Sequence, residues 1–252
     1  MSEEARRVVV TGGGKGLGAA IVRSLAGAGY DVDFTYRSSA DDAADLVRAI
    51  AESHPDRRIG SSKLDLGDRE AVDAFADQLA ESAPYGLVHN AGQPYDALVA
   101  MMAQDKAEAV MQVNFWALTR LAKAVVRAMM RARAGRIVAI GSIAALRGNA
   151  GNAAYAASKG AVISYCKTLA VEAAKRGVTV NVIAPGFIDT DMMAPYADYR
   201  QRMEEQIPAG RFAAPEEVAG LVAFLMGDVA AYMTGTVLPV DGGLAAQLGV
   251  HR

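Results

Sequence analysis

Residues 7–18 decide the fold, and they read Arg7-Val8-Val9-Val10-Thr11-Gly12-Gly13-Gly14-Lys15-Gly16-Leu17-Gly18. The β-branched run before Thr11 predicts a buried strand, and apolar residues at helical spacing after Gly18 predict a helix. Glycines between a strand and a helix let the backbone turn tightly and approach a pyrophosphate, which the helix N-terminus favours. The spacing Gly12-x-x-x-Gly16-x-Gly18 differs from the common G-x-G-x-x-G, but it indicates the same nucleotide-binding turn.

Outward from this unit, strand and helix patterns alternate to the end of the chain. Further strands are predicted at 31–36, 59–64, 85–89, 136–140, 178–183 and 236–240, and further helices at 40–53, 68–80, 106–133, 153–175 and 216–226. Residues 187–213, which combine prolines, a glycine and mixed polarity, predict a loop. This alternation predicts an α/β fold with one doubly wound parallel sheet and helices on both faces, in a single domain over 1–252.

Ligands of such sheets bind at the carboxyl ends of the strands, where the strand order reverses. We therefore expect Thr11, residues 89–92, Ser142 and residues 185–190 to converge. His89 lies within this set; a place near a ligand and a structural role both remain open for it.

Composition and charge narrow the class of protein. The chain has 252 residues, 52% apolar and 21% charged, with a net charge of −2, as in ordinary globular proteins. The single cysteine, Cys166, excludes an intrachain disulfide and predicts core packing. The start at residues 1–7 lacks an apolar signal region, and no apolar run reaches membrane-spanning length, so a soluble cytoplasmic protein is expected.

Metal and nucleic-acid partners are not expected. The histidines His54, His89 and His251 are scattered and have no metal-ligand spacing. The chain has no overall basic excess and no nucleic-acid-binding motif. However, no Asp or Glu occurs between Glu108 and Glu172, an interval with nine basic residues. This basic interval indicates either an anionic partner or acids supplied by tertiary neighbours.

Tyr155 and Lys159 carry the strongest chemical signal. Four residues apart on a predicted helix, the phenol and the ammonium share one face. A nearby positive charge is expected to lower the phenol's pKa, which suits a general acid or base, and Ser142 lies thirteen residues upstream. The pattern Tyr-x-x-x-Lys alone is more typical of a solvated helix face, so the assignment depends on the rest of the sequence.

The end of the second strand predicts the cofactor. An acidic residue there would bind a ribose 2′-hydroxyl, whereas an arginine accommodates a 2′-phosphate. Here Arg37 supplies positive charge and Lys15 adds more from the glycine turn, which predicts NADPH.

With these motifs the sequence resembles the short-chain dehydrogenase/reductases, of the β-ketoacyl-ACP reductase type. The resemblance covers nearly the whole chain. It rests on Thr11-Gly12-x-x-x-Gly16-Leu17-Gly18, Asp65-Leu66, Asn90-Ala91-Gly92, Asn114, Ser142, Tyr155, Lys159, Pro185-Gly186, Ile188, Thr190 and Val240-Asp241-Gly242-Gly243. The implied fold is Rossmann-type.

The resemblance also implies roles for the catalytic set. Tyr155 would protonate a carbonyl oxygen and Ser142 would hydrogen-bond it. Lys159 would bind the nicotinamide ribose and lower the tyrosine's pKa. Asn114 would hold a water that links Lys159 to solvent.

The remaining matched residues would hold the cofactor. The turn from Thr11 to Gly18, Asp65 with Leu66, and residues 90–92 would bind its nucleotide half. Pro185 and Gly186 belong to the motif on the nicotinamide side, where the backbone at Ile188 and the Thr190 hydroxyl would orient the carboxamide.

The implied reaction is NADPH-dependent reduction of a 3-oxoacyl thioester on an acyl carrier protein. Arg133 and Arg176 match carrier-docking arginines, and family members form homotetramers through two long helices. The alternatives are a polyketide-type ketoreductase, a dehydrogenase of a small alcohol, sugar or sterol, and a catalytically silent nucleotide-binding protein. His89 replaces the first asparagine of the family's Asn-Asn-Ala-Gly motif, and residues 93–96 depart from the pattern beside the substrate.

Overall fold

The computed structural model describes residues 5–247, so the first four residues and His251, both considered above, lie outside it. Seven parallel strands form one sheet in the order β3-β2-β1-β4-β5-β6-β7. The strands are β1 (Arg7–Thr11), β2 (Asp31–Tyr36), β3 (Ile59–Lys63), β4 (Gly86–His89), β5 (Gly135–Ile140), β6 (Val178–Pro185) and β7 (Val237–Val240). The predicted doubly wound parallel sheet is confirmed.

Eight α-helices connect the strands within the described residues. They are α1 (Gly16–Gly27), α2 (Ala40–Ser53), α3 (Arg69–Ser82), α4 (Gln104–Met111), α5 (Ala117–Ala132), α6 (Ala153–Ala173), α7 (Arg200–Glu205) and α8 (Pro215–Met226). Over residues 5–247, none of the helices combines the length and the apolarity needed to cross a bilayer.

Alternate side chains of each strand enter two different core layers. Val9 and Leu87 pack with α3, α5 and α6 on one face, whereas Val8, Val10 and Val88 pack with α1, α2 and α8 on the other. The inner strands β5 and β6 are buried along their whole length, as expected for parallel strands covered on both faces. Cys166 is buried in the first layer, as predicted.

Helix boundaries follow recognisable end signals. The Asp68 carboxylate accepts a hydrogen bond from the Ala71 N–H at 3.1 Å and so starts α3. Pro215 occupies the first turn of α8, and Glu217 accepts from the Ala214 N–H at 2.8 Å. Gly177, at φ 72°, ends the turn after α6 in the left-handed conformation.

One predicted element was incomplete and another was wrong. The helix predicted over 106–133 is present as α4 and α5, but the π-helical turn Gln112–Trp116 that joins them was not predicted. The loop predicted over 187–213 contains 3-10 turns at Asp191–Tyr199 and the short helix α7. No residue of Asp191–Tyr199 is buried, so its sequence lacks the apolar stripe from which a helix is normally predicted.

Candidate active site

The glycine turn lies at the carboxyl end of β1, where β2 and β4 lie on opposite sides of β1 and the strand order reverses. Gly12 and Gly16 have φ of 67° and 53°, and a Cβ on Gly18 would collide with the Gly12 carbonyl oxygen. The first turn of α1 has no acidic residue, and Lys15 makes no side-chain cap. This helix N-terminus therefore fits the phosphates of a dinucleotide, because no side chain of the cap occupies its backbone donors.

Thr11 joins the ends of β1 and β4. Its buried hydroxyl oxygen accepts from the N–H groups of Asn90 and Ala91, at 3.1 and 3.2 Å. The Asn90 amide donates back to the carbonyls of Thr11 and Gly12, at 3.2 and 2.9 Å. The predicted strand-four motif is thus fixed against the glycine turn, and a Cβ on Gly12 would lie only 3.0 Å from Ala91.

A cleft of about 710 Å³ lies beside the ends of β2 and β3. Its lining includes Arg37, Asp65 and Trp116. Arg37 is exposed, and the Asp65 carboxylate accepts from the Gly67 N–H at 2.8 Å, which orders the turn around buried Leu66. The cleft brings together Arg37 and Asp65, two of the residues predicted for the adenosine end of a cofactor.

The segment after β6 approaches the glycine turn from the other side. Gly186 donates to the Val240 carbonyl at 3.0 Å, immediately after Pro185 ends β6, and Ile188 bridges to Ala213. A Cβ on Gly16 would lie 3.5 Å from the Thr190 side chain. Residues 185–190 and the glycine turn therefore face one another, as expected.

Ser142, Tyr155 and Lys159 meet at the ends of β5 and α6. Ser142 follows β5 in extended backbone, and its hydroxyl oxygen accepts from the Ala144 N–H at 3.1 Å. The Tyr155 phenol makes a polar contact with the Ser142 side chain. Lys159 is 2% exposed; its Nζ donates to the Ile140 carbonyl at 2.8 Å and lies 5.7 Å from the centre of the Tyr155 ring.

The electrostatics of Tyr155 differ from the prediction. Burial raises the pKa of the phenol, the contact with Ser142 opposes this shift, and the Asp96 carboxylate adds to it. The pKa of Lys159 is itself lowered to about 8 by burial. The expectation that Lys159 holds the phenol's pKa low in this structure is wrong, because burial dominates and the ammonium is bonded to Ile140.

Asn114, in the π-helical turn, holds the segment after β4. Its side-chain Oδ1 accepts from the Gln93 N–H at 2.7 Å, and its Nδ2 donates to the Gln93 carbonyl at 3.1 Å and the Ser158 hydroxyl at 2.9 Å. A π-helical turn frees backbone carbonyls from the regular helix pattern, and the Asn114 carbonyl lies 3.2 Å from His89 Nε2. The implied role of Asn114 in holding a water remains a proposal.

His89 is fully buried and connects Asn114 to Thr11. Because a carbonyl only accepts, Nε2 carries the proton, so Nδ1 accepts from the Thr11 hydroxyl at 3.3 Å. Burial lowers the pKa of His89 to about 3, with a further contribution from Lys159. The structure therefore gives His89 a structural role as a neutral bridge, one of the two roles that the sequence left open.

Sequence reasoning missed a polar cluster at residues 93–96, the segment that was expected to border the substrate. The Asp96 carboxylate accepts from the Asn152 amide at 2.7 Å and from the Tyr196 hydroxyl. Only the unusual composition of residues 93–96 gave any signal, since the three side chains come from separate parts of the chain.

Arg133 and Arg176 lie together but away from this site. Arg133 follows α5 with φ 56°, and its guanidinium donates to the Lys175 carbonyl at 3.4 Å. Tyr155 is near the start of α6 and Arg176 follows its end, so a rise of 1.5 Å per residue separates them by about 30 Å. Elsewhere in the basic interval, Arg120 pairs with Asp73 and Arg136 with Asp228, so tertiary neighbours supply some of the missing acids.

Comparison of the chain with known sequences identifies its family. Residues 12–245 match the family model described as Enoyl-(Acyl carrier protein) reductase. The chain is similar to the 3-oxoacyl-[acyl-carrier-protein] reductases of Salmonella typhimurium and Escherichia coli, each 39% identical over 251 residues, or 97% of this chain and 99% of the relative. The Vibrio cholerae reductase of the same name is 40% identical over 249 residues, with the same coverage.

Solved structures agree. One from Beutenbergia cavernae, provisionally assigned as an NAD(P)-dependent gluconate 5-dehydrogenase and containing NADP at low occupancy, has a TM-score of 0.91 and 37% identity, covering 96% of this chain and 97% of that one. A short-chain dehydrogenase/reductase from Serratia marcescens has a TM-score of 0.88 and 32% identity, covering 96% and 98%. The chain belongs to the short-chain dehydrogenase/reductase family. It is an oxidoreductase that uses a nicotinamide cofactor.

Proposed function

We propose that this chain reduces a 3-oxoacyl thioester, carried by an acyl carrier protein, to the 3-hydroxyacyl product with NADPH. The observation that carries the proposal is the meeting of Ser142 and Tyr155 beside buried Lys159 at the carboxyl edge of the sheet. The substrate class is supported by relatives of nearly equal length that are named 3-oxoacyl-[acyl-carrier-protein] reductases.

Tyr155 serves as the proton donor. Burial raises the pKa of its phenol above the ordinary value of 10, so the hydroxyl is protonated at neutral pH and ready to act as an acid. Reduction of a ketone develops negative charge on the carbonyl oxygen, and a proton positioned for that oxygen stabilises it. Ser142, in contact with the phenol, donates a second hydrogen bond to the same oxygen and orients the carbonyl.

Lys159 and Asn114 support this donor. The buried Lys159 ammonium, which donates to the Ile140 carbonyl in this structure, would bind the nicotinamide ribose. The Asn114 side chain, through Gln93 and Ser158, holds the wall of the site in place. A water held by Asn114 would return a proton to Tyr155 after each turnover.

The chain's own residues would hold the cofactor, which supplies the hydride when bound. Phosphates would bind the N-terminus of α1 at Gly12, Gly16, Leu17 and Gly18. The adenosine end would lie against Asp65, Leu66 and residues 90–92, and the nicotinamide end against Pro185, Gly186, Ile188 and Thr190. Arg37 and Lys15, both exposed at the mouth of this site, favour NADPH because each supplies positive charge for a 2′-phosphate.

Arg133 and Arg176 would form the docking surface for the acidic carrier protein. Their shared position at the ends of α5 and α6 supports a common basic surface. The distance of about 30 Å along α6 requires a long, flexible link between a carrier seated there and Tyr155 of the same chain.

We also propose a homotetramer. Ala157 is exposed on α6, and a Cβ on Gly160 would meet nothing within 4 Å among the described residues, so this helix face is free for close packing. Light scattering at micromolar concentration tests this assembly, and a monomer would contradict it.

A sugar or alcohol dehydrogenase is the second candidate. The Beutenbergia cavernae structure favours it through its assignment, and the polar cluster of Asp96, Asn152 and Tyr196 would suit substrate hydroxyl groups. The polyketide-type ketoreductase shares the same site chemistry. A catalytically silent nucleotide-binding protein is disfavoured by the intact catalytic set.

Steady-state assays test the proposal. The ketone substrates are acetoacetyl thioesters of an acyl carrier protein and of N-acetylcysteamine, each assayed with NADPH and with NADH. The alcohol substrates are gluconate and simple alcohols, each assayed with NADP and with NAD. We expect the highest kcat/KM for a thioester with NADPH. A higher kcat/KM for gluconate with NADP would instead establish the second candidate.

A further inference from the structure

Asp96 connects three segments at the substrate side of the site. It lies in the loop after β4, and its carboxylate accepts from Asn152, just before α6, and from Tyr196, in the 3-10 turns after β6. The backbone reinforces the first connection, because the Ala97 N–H donates to the Gly151 carbonyl at 2.7 Å. The carboxylate is therefore held in a defined place rather than being a freely rotating surface group.

Asn152 departs from its usual role to hold Asp96. It occupies the N-cap position of α6, where an asparagine side chain normally accepts from the backbone of the first turn. Here it makes no such bond and its amide donates to Asp96. Asn152 therefore gives up a hydrogen bond that would stabilise the start of α6. This loss of helix stability indicates that the position of the Asp96 carboxylate serves a function.

The charge on Asp96 is not neutralised by the groups around it. Both hydrogen-bond donors are neutral, and among residues 5–247 no Lys or Arg side chain forms an ion pair with Asp96. The contact with Asp96 raises the pKa of Tyr196 to about 12, so this donor keeps its proton. Asp96 also raises the pKa of Tyr155, so its negative charge reaches the phenol that protonates the substrate.

We propose that Asp96 is a specificity-determining residue that discriminates against substrates with a negative charge beside the reacting carbonyl. The site then takes neutral 3-oxoacyl esters and thioesters and rejects the free 3-oxo acids, which are anions at neutral pH. The choice of these substrates rests on the proposed function. Asp96 is exposed, and like charges near a protein surface repel strongly enough to change relative rates about tenfold.

The test compares two substrates with one carbon skeleton, methyl acetoacetate and the acetoacetate anion. The measured quantity is the kcat/KM for the anion divided by that for the ester. Asp96→Asn keeps the size and the hydrogen-bonding capacity of the side chain but removes its charge. We expect this substitution to raise the ratio about tenfold.

Two further variants separate charge from structure. Asp198→Asn removes a carboxylate from the same 3-10 turns as Tyr196 and should leave the ratio at the wild-type value. Tyr196→Phe removes a hydrogen bond to Asp96 but keeps its charge, so both rates should change together and the ratio should stay low. In the wild-type enzyme, which needs no variant to fold, added salt should raise the ratio by screening Asp96.

The outcomes distinguish this inference from the proposed function. An unchanged ratio in Asp96→Asn, with normal turnover of the thioester, overturns the inference alone. A ratio that rises equally in Asp198→Asn also overturns it, because the effect would then be one of overall charge. If the wild-type enzyme shows no activity toward any 3-oxoacyl compound, the proposed function and this inference are both refuted.

Discussion

His89 makes the folded chain sensitive to mild acid. Its imidazole is fully buried, and its pKa is lowered to about 3, whereas an unfolded histidine has a pKa of about 6.5. Below pH 6.5 the unfolded chain takes up a proton at His89 that the folded chain does not. The unfolded state then binds more protons, so the free energy of unfolding falls as the pH falls from about 6.5 toward 3.

The size of this effect follows from the difference in pKa. At about pH 5.0 the unfolded histidine is almost fully protonated, about 1.5 units below its pKa, so stability is lower than at pH 7.5 by about 2 kcal/mol. In His89→Asn the shorter side chain cannot bridge Thr11 and Asn114, and one buried polar group loses its partner. That loss lowers the free energy of unfolding at about pH 7.5 by about 1–3 kcal/mol.

Urea unfolding at the two pH values, at one protein concentration, measures both quantities. The wild type should lose about 2 kcal/mol between pH 7.5 and 5.0, whereas His89→Asn should lose much less, so the two proteins converge in acid. His54→Asn is the matched control, because His54 is partly exposed after α2, and it should keep the wild-type pH dependence. If His89→Asn shows the same loss as the wild type, the neutral bridge is refuted.

The other predictions concern activity. Tyr155→Phe removes the proton donor and should lower kcat by about 10²–10⁴-fold while cofactor binding, followed by fluorescence titration, stays nearly intact; more than a tenth of the wild-type kcat would exclude the role. Arg37→Ala should raise KM for NADPH about ten- to a hundredfold more than KM for NADH, and equal changes would mean that Arg37 does not bind the 2′-phosphate. The double variant Arg133→Glu with Arg176→Glu should lower kcat/KM for the carrier-bound substrate, and the loss should be smaller in high salt. The kcat/KM for the N-acetylcysteamine thioester should not change. Equal losses on the two substrates would indicate damage to the fold.

Local patterns were enough to predict the sheet and the placement of most candidate residues. The run before Thr11 and the glycines after it are short-range signals, and parallel strands bring their carboxyl ends together whatever the intervening sequence. The π-helical turn at Asn114 could not be predicted in this way. The Asn114 carbonyl is hydrogen-bonded to His89, which lies in strand β4 and is distant in sequence, and the helical period on either side gives no sign of the extra residue.

The state of Tyr155 and the partners of Asp96 also depended on tertiary structure. A sequence shows that a lysine follows a tyrosine by four residues, but it does not show how deeply the phenol is buried or that the ammonium donates to Ile140. Burial decided the direction of the pKa shift, against the expected effect of charge. Asp96, Asn152 and Tyr196 are separated by long stretches of chain, and no local pattern relates them.

The π-helical turn also accommodates an extra residue between two helices that stay in phase. Ahead of it, α4 presents Val110 to the interior, and behind it α5 presents Leu118, Leu121 and Val125. Each residue of a helix advances the direction of its side chain by about 100°. A π-helical turn absorbs one such extra residue, so deleting one residue from Gln112–Trp116 would restore a regular helix with both buried faces in phase, but it would remove the free Asn114 carbonyl that contacts His89. The length of this turn is thus under constraint even at positions such as exposed Trp116, where the identity of the side chain is not needed for packing.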